Sequence, residues 1–177
     1  FGYKTIRPFF SRRIGLGVPI EAGLRLSGNI DEKWRIGLMN IQTQSLNKMN
    51  LPKQNFGVLS IQKKVFDRSS IGLMFINKNS LINSIKNESD YSKYNRSLGI
   101  EYNYASNDNL WQGKILVLKT FTDNLDNNKN SSLASHLEYN STNWKWRIQQ
   151  EYIGENFNAE VGYVPRKGFL KLSSTIG

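Results

Sequence analysis

The chain has 177 residues and no cysteine, which excludes disulfides, thiolate nucleophiles and cysteine-based metal sites. Its formal net charge is +10, from 24 Lys and Arg against 14 Asp and Glu, but the basic residues are scattered and no nucleic-acid-binding motif accompanies them. Nucleic acid is therefore not expected as a partner; the charge reads either as scattered solvated charge or as attraction to anionic lipid headgroups. Hydrophobic residues make up 38%, and no apolar run approaches the roughly 18 residues that a membrane helix needs. A β-barrel in a membrane needs no such run, because only every second residue of its strands faces lipid.

The first elements set the pattern. Residues 9–17 begin Phe9-Phe10-Ser11-Arg12-Arg13 and end in Gly15-Leu16-Gly17, followed by Pro19, a composition that bends or breaks a strand. Arg12 and Arg13 are adjacent, so a regular strand would turn one of them toward lipid. We therefore expect residues 9–17 to enter the barrel or cap its rim, with Arg12 and Arg13 as an internal anchor on inward carboxylates such as Glu21, Glu101 or Glu151. The alternative is a pair of exposed rim arginines near headgroups. From Ile20 the chain alternates strictly: Ile20, Ala22, Leu24 and Leu26 face one way, and Glu21, Gly23, Arg25 and Ser27 the other.

The same two-faced pattern recurs to the C-terminus. Strands are expected at 34–43, 56–66 and 70–76, separated by a polar loop at 45–54 and a tight turn at 67–69. A long polar loop at 77–95 follows, in which Leu81, Ile82 and Ile85 could form one helical turn. Further strands are expected at 97–105, 111–121, 133–139, 144–152 and 157–163, and another begins at 169–173. That makes about ten strands, most near the ~9–11 residues of a tilted membrane strand. From Gly28 the connections alternate short and long, as outer-membrane barrels sort turns from external loops. The turn at Gly154 is the exception, since a long loop is due there. Trp34, Trp111, Trp144 and Trp146 all lie at the short-turn end, with Tyr102 and Tyr104 just before one such turn. They read as an aromatic girdle where lipid chains meet headgroups.

Charged residues in mid-strand fall opposite the apolar faces: Glu21, Arg25, Glu101, Lys145, Arg147, Glu151 and Glu160. On the lipid side a basic residue at mid-depth would cost ~2–4 kcal/mol, so these residues are assigned to the lumen, where opposite signs can pair between strands. They read either as a polar ligand-lining wall or as a self-neutralising packed interior. Catalytic constellations are not legible. His136 is the single histidine, no Gly-x-Ser-x-Gly elbow occurs, and the acidic run at 123–126 lacks EF-hand spacing. Carboxylate pairs drawn from Glu101, Glu138, Glu151 and Glu160 are what any barrel with inward acids offers. No catalytic residue, metal ligand or cofactor is assigned.

The opening stretch carries a resemblance. Phe9-Phe10-Ser11-Arg12-Arg13-Ile14-Gly15, Val18-Pro19-Ile20 and Leu24-Arg25-Leu26-Ser27-Gly28 resemble the start of the C-terminal region of a Bacteroidota family. Its members pair an N-terminal carbohydrate-binding family 9 domain with a large domain of unknown function that looks like an outer-membrane barrel. Trp34-Arg35-Ile36-Gly37-Leu38, Arg68-Ser69-Ser70-Ile71-Gly72 and Gly162-Tyr163-Val164-Pro165-Arg166 resemble later segments of that family, in order. The resemblance implies an outer-membrane location and supplies no catalytic residues. The carbohydrate-binding domain has no counterpart in these residues, so polysaccharide would be a partner only through a domain absent here.

The expectation is an all-β chain: an antiparallel transmembrane β-barrel over residues 1–177, or a contiguous section of a larger one within a longer protein. Its expected setting is the bacterial outer membrane, with the lipid bilayer and other outer-membrane or surface proteins as partners. Its expected role is non-enzymatic, either passage of polar solutes or a structural part of a cell-surface complex. The barrel part of a carbohydrate-active hydrolase and a soluble ligand-binding β-barrel are the alternatives.

Overall fold

The computed structural model describes residues 1–46, 51–81, 92–123 and 125–177. The chain is all-β: nine strands form one antiparallel sheet in which each strand pairs with the next in sequence. They are β1 (Ile20–Asn29), β2 (Trp34–Thr43), β3 (Lys53–Val65), β4 (Ser69–Leu81), β5 (Tyr94–Ala105), β6 (Trp111–Thr122), β7 (Ser131–Asn140), β8 (Lys145–Ile153) and β9 (Phe169–Ile176). The sheet is not closed. A single 3-10 turn, Ser11–Arg13, precedes it.

Short polar turns join the strands at one end, and their side chains explain why they form. Asp31 Oδ1 accepts hydrogen bonds from the amides of Lys33 (2.7 Å) and Trp34 (2.7 Å), closing the turn before β2. Ser106 Oγ accepts from the Trp111 amide (2.9 Å), and Ser141 Oγ from the Trp144 amide (3.1 Å). The turns also tie to one another, with Asn107 Nδ2 donating to Asp67 Oδ2 at 2.9 Å.

The strands differ from the sequence expectation in length and number. β3 begins at Lys53 and β4 runs on to Leu81, so the expected loops at 45–54 and 77–95 are shorter than read. Asn, Lys and Ser at these strand ends look like loop residues but still pair in the ladder, as in Asn55 with Asn79 and Lys78 with Asn95. Ile82 and Ile85, read as part of a helical turn with Leu81, lie outside the described residues.

Residues 157–163 are not a strand, so nine strands replace the expected ten or so. Their alternation is real, but it serves a different burial. Phe157 and Val161 turn inward and are fully buried, and side chains of the sheet satisfy the local backbone. The Asn158 amide donates to Thr120 Oγ1 (3.0 Å), the Glu160 amide donates to Asn95 Oδ1 (3.2 Å), and the Asn158 carbonyl accepts from Asn95 Nδ2 (2.7 Å). The connection from β8 to β9 is thus residues 154–168. The exception at Gly154 disappears: every second connection is long, and all the long ones lie at the end opposite the short turns.

Register gives the sheet two continuous faces. One row runs Ile36, Ile61, Leu73, Ile100, Val117, Leu133, Tyr152, Leu170 across β2 to β9. Most of this outward face is open, with Leu24 at 74% and Leu172 at 69% exposure. One residue along, the inward row runs Gln62, Gly72, Glu101, Leu116, Ala134, Glu151, Lys171. Here the core sits. Ile6 and Phe157 pack on Leu116, Leu118, Ala134 and Ile153, while Ile14 and Val161 pack on Phe56 and Ile76.

Candidate functional site

The inward face is occupied by the chain itself. Residues 1–14 form an arm that lies against it, and the connection 154–168 folds in beside the arm. The two are joined by an antiparallel bridge between Arg7 and Tyr163, whose amides exchange hydrogen bonds of 3.0 and 2.7 Å, and by Phe10 N donating to the Val161 carbonyl (2.8 Å). Gly162 is required at this contact, since a Cβ there would sit 2.4 Å from the Arg7 carbonyl oxygen. Ile6, Phe157 and Val161 then remove large apolar side chains from water, each worth about 1.5–3 kcal/mol.

The arm's first residues rest on a polar seat. A Cβ on Gly99 would come within 2.9 Å of the Phe1 ring, so its missing side chain makes the notch that admits the ring. Glu101 and Lys114, on β5 and β6, form an ion pair at 2.9 Å that is largely shielded from solvent. The pair brackets the backbone of one residue: the Gly2 amide donates to Glu101 Oε2 (2.7 Å), and Lys114 Nζ donates to the Gly2 carbonyl (2.7 Å). Asn103 Nδ2 completes the shell of Glu101 at 2.9 Å. A buried pair of this kind adds little net stability over apolar packing, but removing one partner strands the other.

Tyr3 extends the seat. Its hydroxyl donates to the Lys114 carbonyl (2.8 Å) and lies 3.1 Å from His136 Nδ1, with the two rings edge to face at 5.7 Å. Burial first, and the nearby Glu101 carboxylate second, raise the Tyr3 phenol above its ordinary range, so it stays protonated. His136 is thereby engaged in holding the arm.

The sequence-assigned lumen charges divide by position. Glu101, Lys145, Arg147 and Glu151 lie on the inward register. Glu138 takes both Lys145 (3.5 Å) and Arg147 (3.7 Å), and Glu151 accepts from Gln149 Nε2 at 2.6 Å. Arg25 is inward and exposed, opposite Met39. Glu21 sits where the β1–β2 register slips, and its partner is Lys53, whose position belongs to the outward set. Glu160 is not in a strand; it lies on the inturned connection and binds Lys78 and Ser92 Oγ (2.7 Å).

Arg12 and Arg13 are exposed, and among the described residues neither pairs with Glu21, Glu101 or Glu151. The segment does turn inward, but Ile6, Pro8 and Ile14 carry its docking, because removing apolar side chains from water is favourable whereas burying a guanidinium would cost its hydration.

Trp34, Trp111, Trp144 and Trp146 all sit at the short-turn end. Trp111 packs on Tyr139 (5.0 Å) and edge-on to Trp146 (5.4 Å), and Lys63 Nζ lies 4.7 Å over the Trp34 ring. Sequence reasoning missed the apolar inward patch formed by Leu116, Leu118, Ala134 and Ile153. One signal was present: Ile115-Leu116-Val117-Leu118 is apolar on both faces, as a strand covered on two sides would be. Among the described residues no cluster of three or more His, Cys, Asp or Glu could hold a metal ion. No family model matches the chain, and neither a curated protein nor a solved structure does.

Proposed function

We propose that this chain forms part of the wall of a bacterial outer-membrane β-barrel, and that its role is structural and non-enzymatic, within a cell-surface assembly. The observation that carries the reading is the pairing of the two faces. An exposed apolar row continues through the strands, while the opposite face mixes charged residues with an apolar patch that an arm of its own chain covers. A soluble ligand-binding barrel would turn the apolar rows inward. Strand lengths of 8–13 residues and the sorting of connections by end suit membrane strands. The resemblance to the Bacteroidota barrel region points the same way.

Parity supports a section of wall over a finished cylinder. With nine strands, β1 and β9 run in the same direction, so a direct seam between them would be parallel. Barrels of this class are antiparallel throughout. An inner face filled over β3–β8 favours a structural role over free solute passage. A second reading, passage of polar solutes, draws on the β1–β4 side, where a cavity of about 450 Å³ lies beside Arg25, Arg35, Ser60 and Gln62. The hydrolase alternative is disfavoured because Glu101, Glu138, Glu151 and Glu160 are tied to separate partners.

Carbonate washing of membranes that carry the full-length protein tests the membrane assignment. Retention in the pellet is expected, and release into the supernatant would overturn it.

A further inference from the structure

On the outward face, the long-loop ends of β2–β5 break the apolar pattern in a specific way. A groove of about 840 Å³ runs along the sheet there. Its floor is apolar, from Leu38, Leu59, Phe75 and Leu98, which are register neighbours in one row. Gly57 makes the depth. It lies between Asn40 and Asn77 in register, and a Cβ there would meet nothing closer than 3.8 Å.

Toward the long loops the lining turns polar. Asn40 and Asn55 exchange side-chain hydrogen bonds of 3.1 and 3.0 Å, and Arg96 Nε donates to Asn77 Oδ1 at 3.2 Å. Arg96 also lies 4.8 Å over the Tyr94 ring, which fixes its guanidinium at the groove's polar end. Lys119 is its diagonal neighbour on the same face, because Arg96 opposes Phe121 and Leu98 opposes Lys119. Diagonal residues are about 7–8 Å apart, close enough for two long cations to meet one anion. Both side chains are exposed, and among the described residues neither has a carboxylate partner.

We propose that this groove is a binding site for a phosphate-bearing lipid. The phosphate sits between Arg96 and Lys119, and an acyl chain lies over Gly57 along the leucine and phenylalanine floor. The inference rests on the membrane reading above. It is more specific than general headgroup attraction, because it requires one anion and one adjoining apolar channel. Guanidinium presents a planar fork to phosphate oxygens, and the Lys ammonium adds a point charge. The Asn40 and Asn55 amides are paired to each other at the groove's polar end.

The test uses full-length protein in a mild detergent, with native mass spectrometry to count bound lipid. Dioleoylphosphatidic acid is expected to be retained in preference to dioleoylphosphatidylcholine, and inorganic phosphate should not displace it. The Arg96→Gln, Lys119→Gln double variant should lose retention by roughly tenfold or more. Gly57→Leu, which fills the channel and keeps both charges, should lose it as well. Lys63→Gln, at the opposite end of the sheet, should retain lipid as the wild type does. Equal retention of both lipids, displacement by phosphate, or unchanged retention in the double variant would each overturn the site. Carbonate washing of the same wild-type membranes separates the two levels. A protein that stays in the pellet but shows no lipid preference loses only this site, whereas one that washes free loses the membrane reading and the site together.

Discussion

The two faces of β6 carry similar side chains in opposite surroundings. Leu116 and Leu118 are 0% and 1% exposed on the inward side, while Ile115 and Val117 are 49% and 44% exposed on the outward side. The difference lies in what has been laid over each face. The arm and the inturned connection cover the first, and nothing among the described residues covers the second. One apolar face is buried against the chain itself, and the other is left open along the sheet.

Three variants sharpen this contrast. The largest effect is expected at Phe157, which is fully buried between the connection and the sheet. Phe157→Ala should cost about 3–5 kcal/mol through the cavity it leaves. Urea unfolding of the full-length protein in detergent should show a lower midpoint. An unchanged midpoint would mean that the connection does not pack on the inward face.

Val117→Arg tests the other side of the same strand. In a bilayer it should cost about 2–4 kcal/mol at mid-depth, because a guanidinium would replace an apolar contact with lipid. In detergent with a pliable headgroup layer the cost should be smaller. The comparison of folding yield in liposomes and in detergent reads this directly, and equal yields would argue that the outward face does not meet lipid.

The smallest effect is expected at the paired arginines. Arg12→Ala with Arg13→Ala should change stability by less than about 0.5 kcal/mol, as for other exposed positions. The temperature at which the folded band disappears on a gel is the measure. A marked drop would restore an anchoring role for these side chains and shift weight from Ile6 and Ile14.

Much of the sheet was legible in the amino-acid order. The alternation from Ile20 onward places Leu24, Ile100 and Val117 on one face and Arg25, Glu101 and Arg147 on the other, because a strand has a period of two. The turns at Asp31, Ser106 and Ser141 were equally readable, since side chains that bond their own backbone announce where a strand must reverse. The candidate site was legible only in part. Glu101 and Glu151 were assigned to the inner side, but their neighbours Lys114 and Gln149 were not foreseen as their partners.

What tertiary structure alone decided is what lies on each face. Periodicity tells which way a side chain points and says nothing of what it points at. Residues 157–163 alternate like a strand, but their backbone groups bond to Asn95 and Thr120 side chains, so they fold over the sheet and do not extend it. The arm shows the same limit. Phe1, Gly2 and Tyr3 carry no strand or helix signal, and their positions are set by Gly99, Glu101, Lys114 and His136, residues about a hundred positions away. Contacts at that separation depend on how nine strands align, so no local pattern in the chain encodes them.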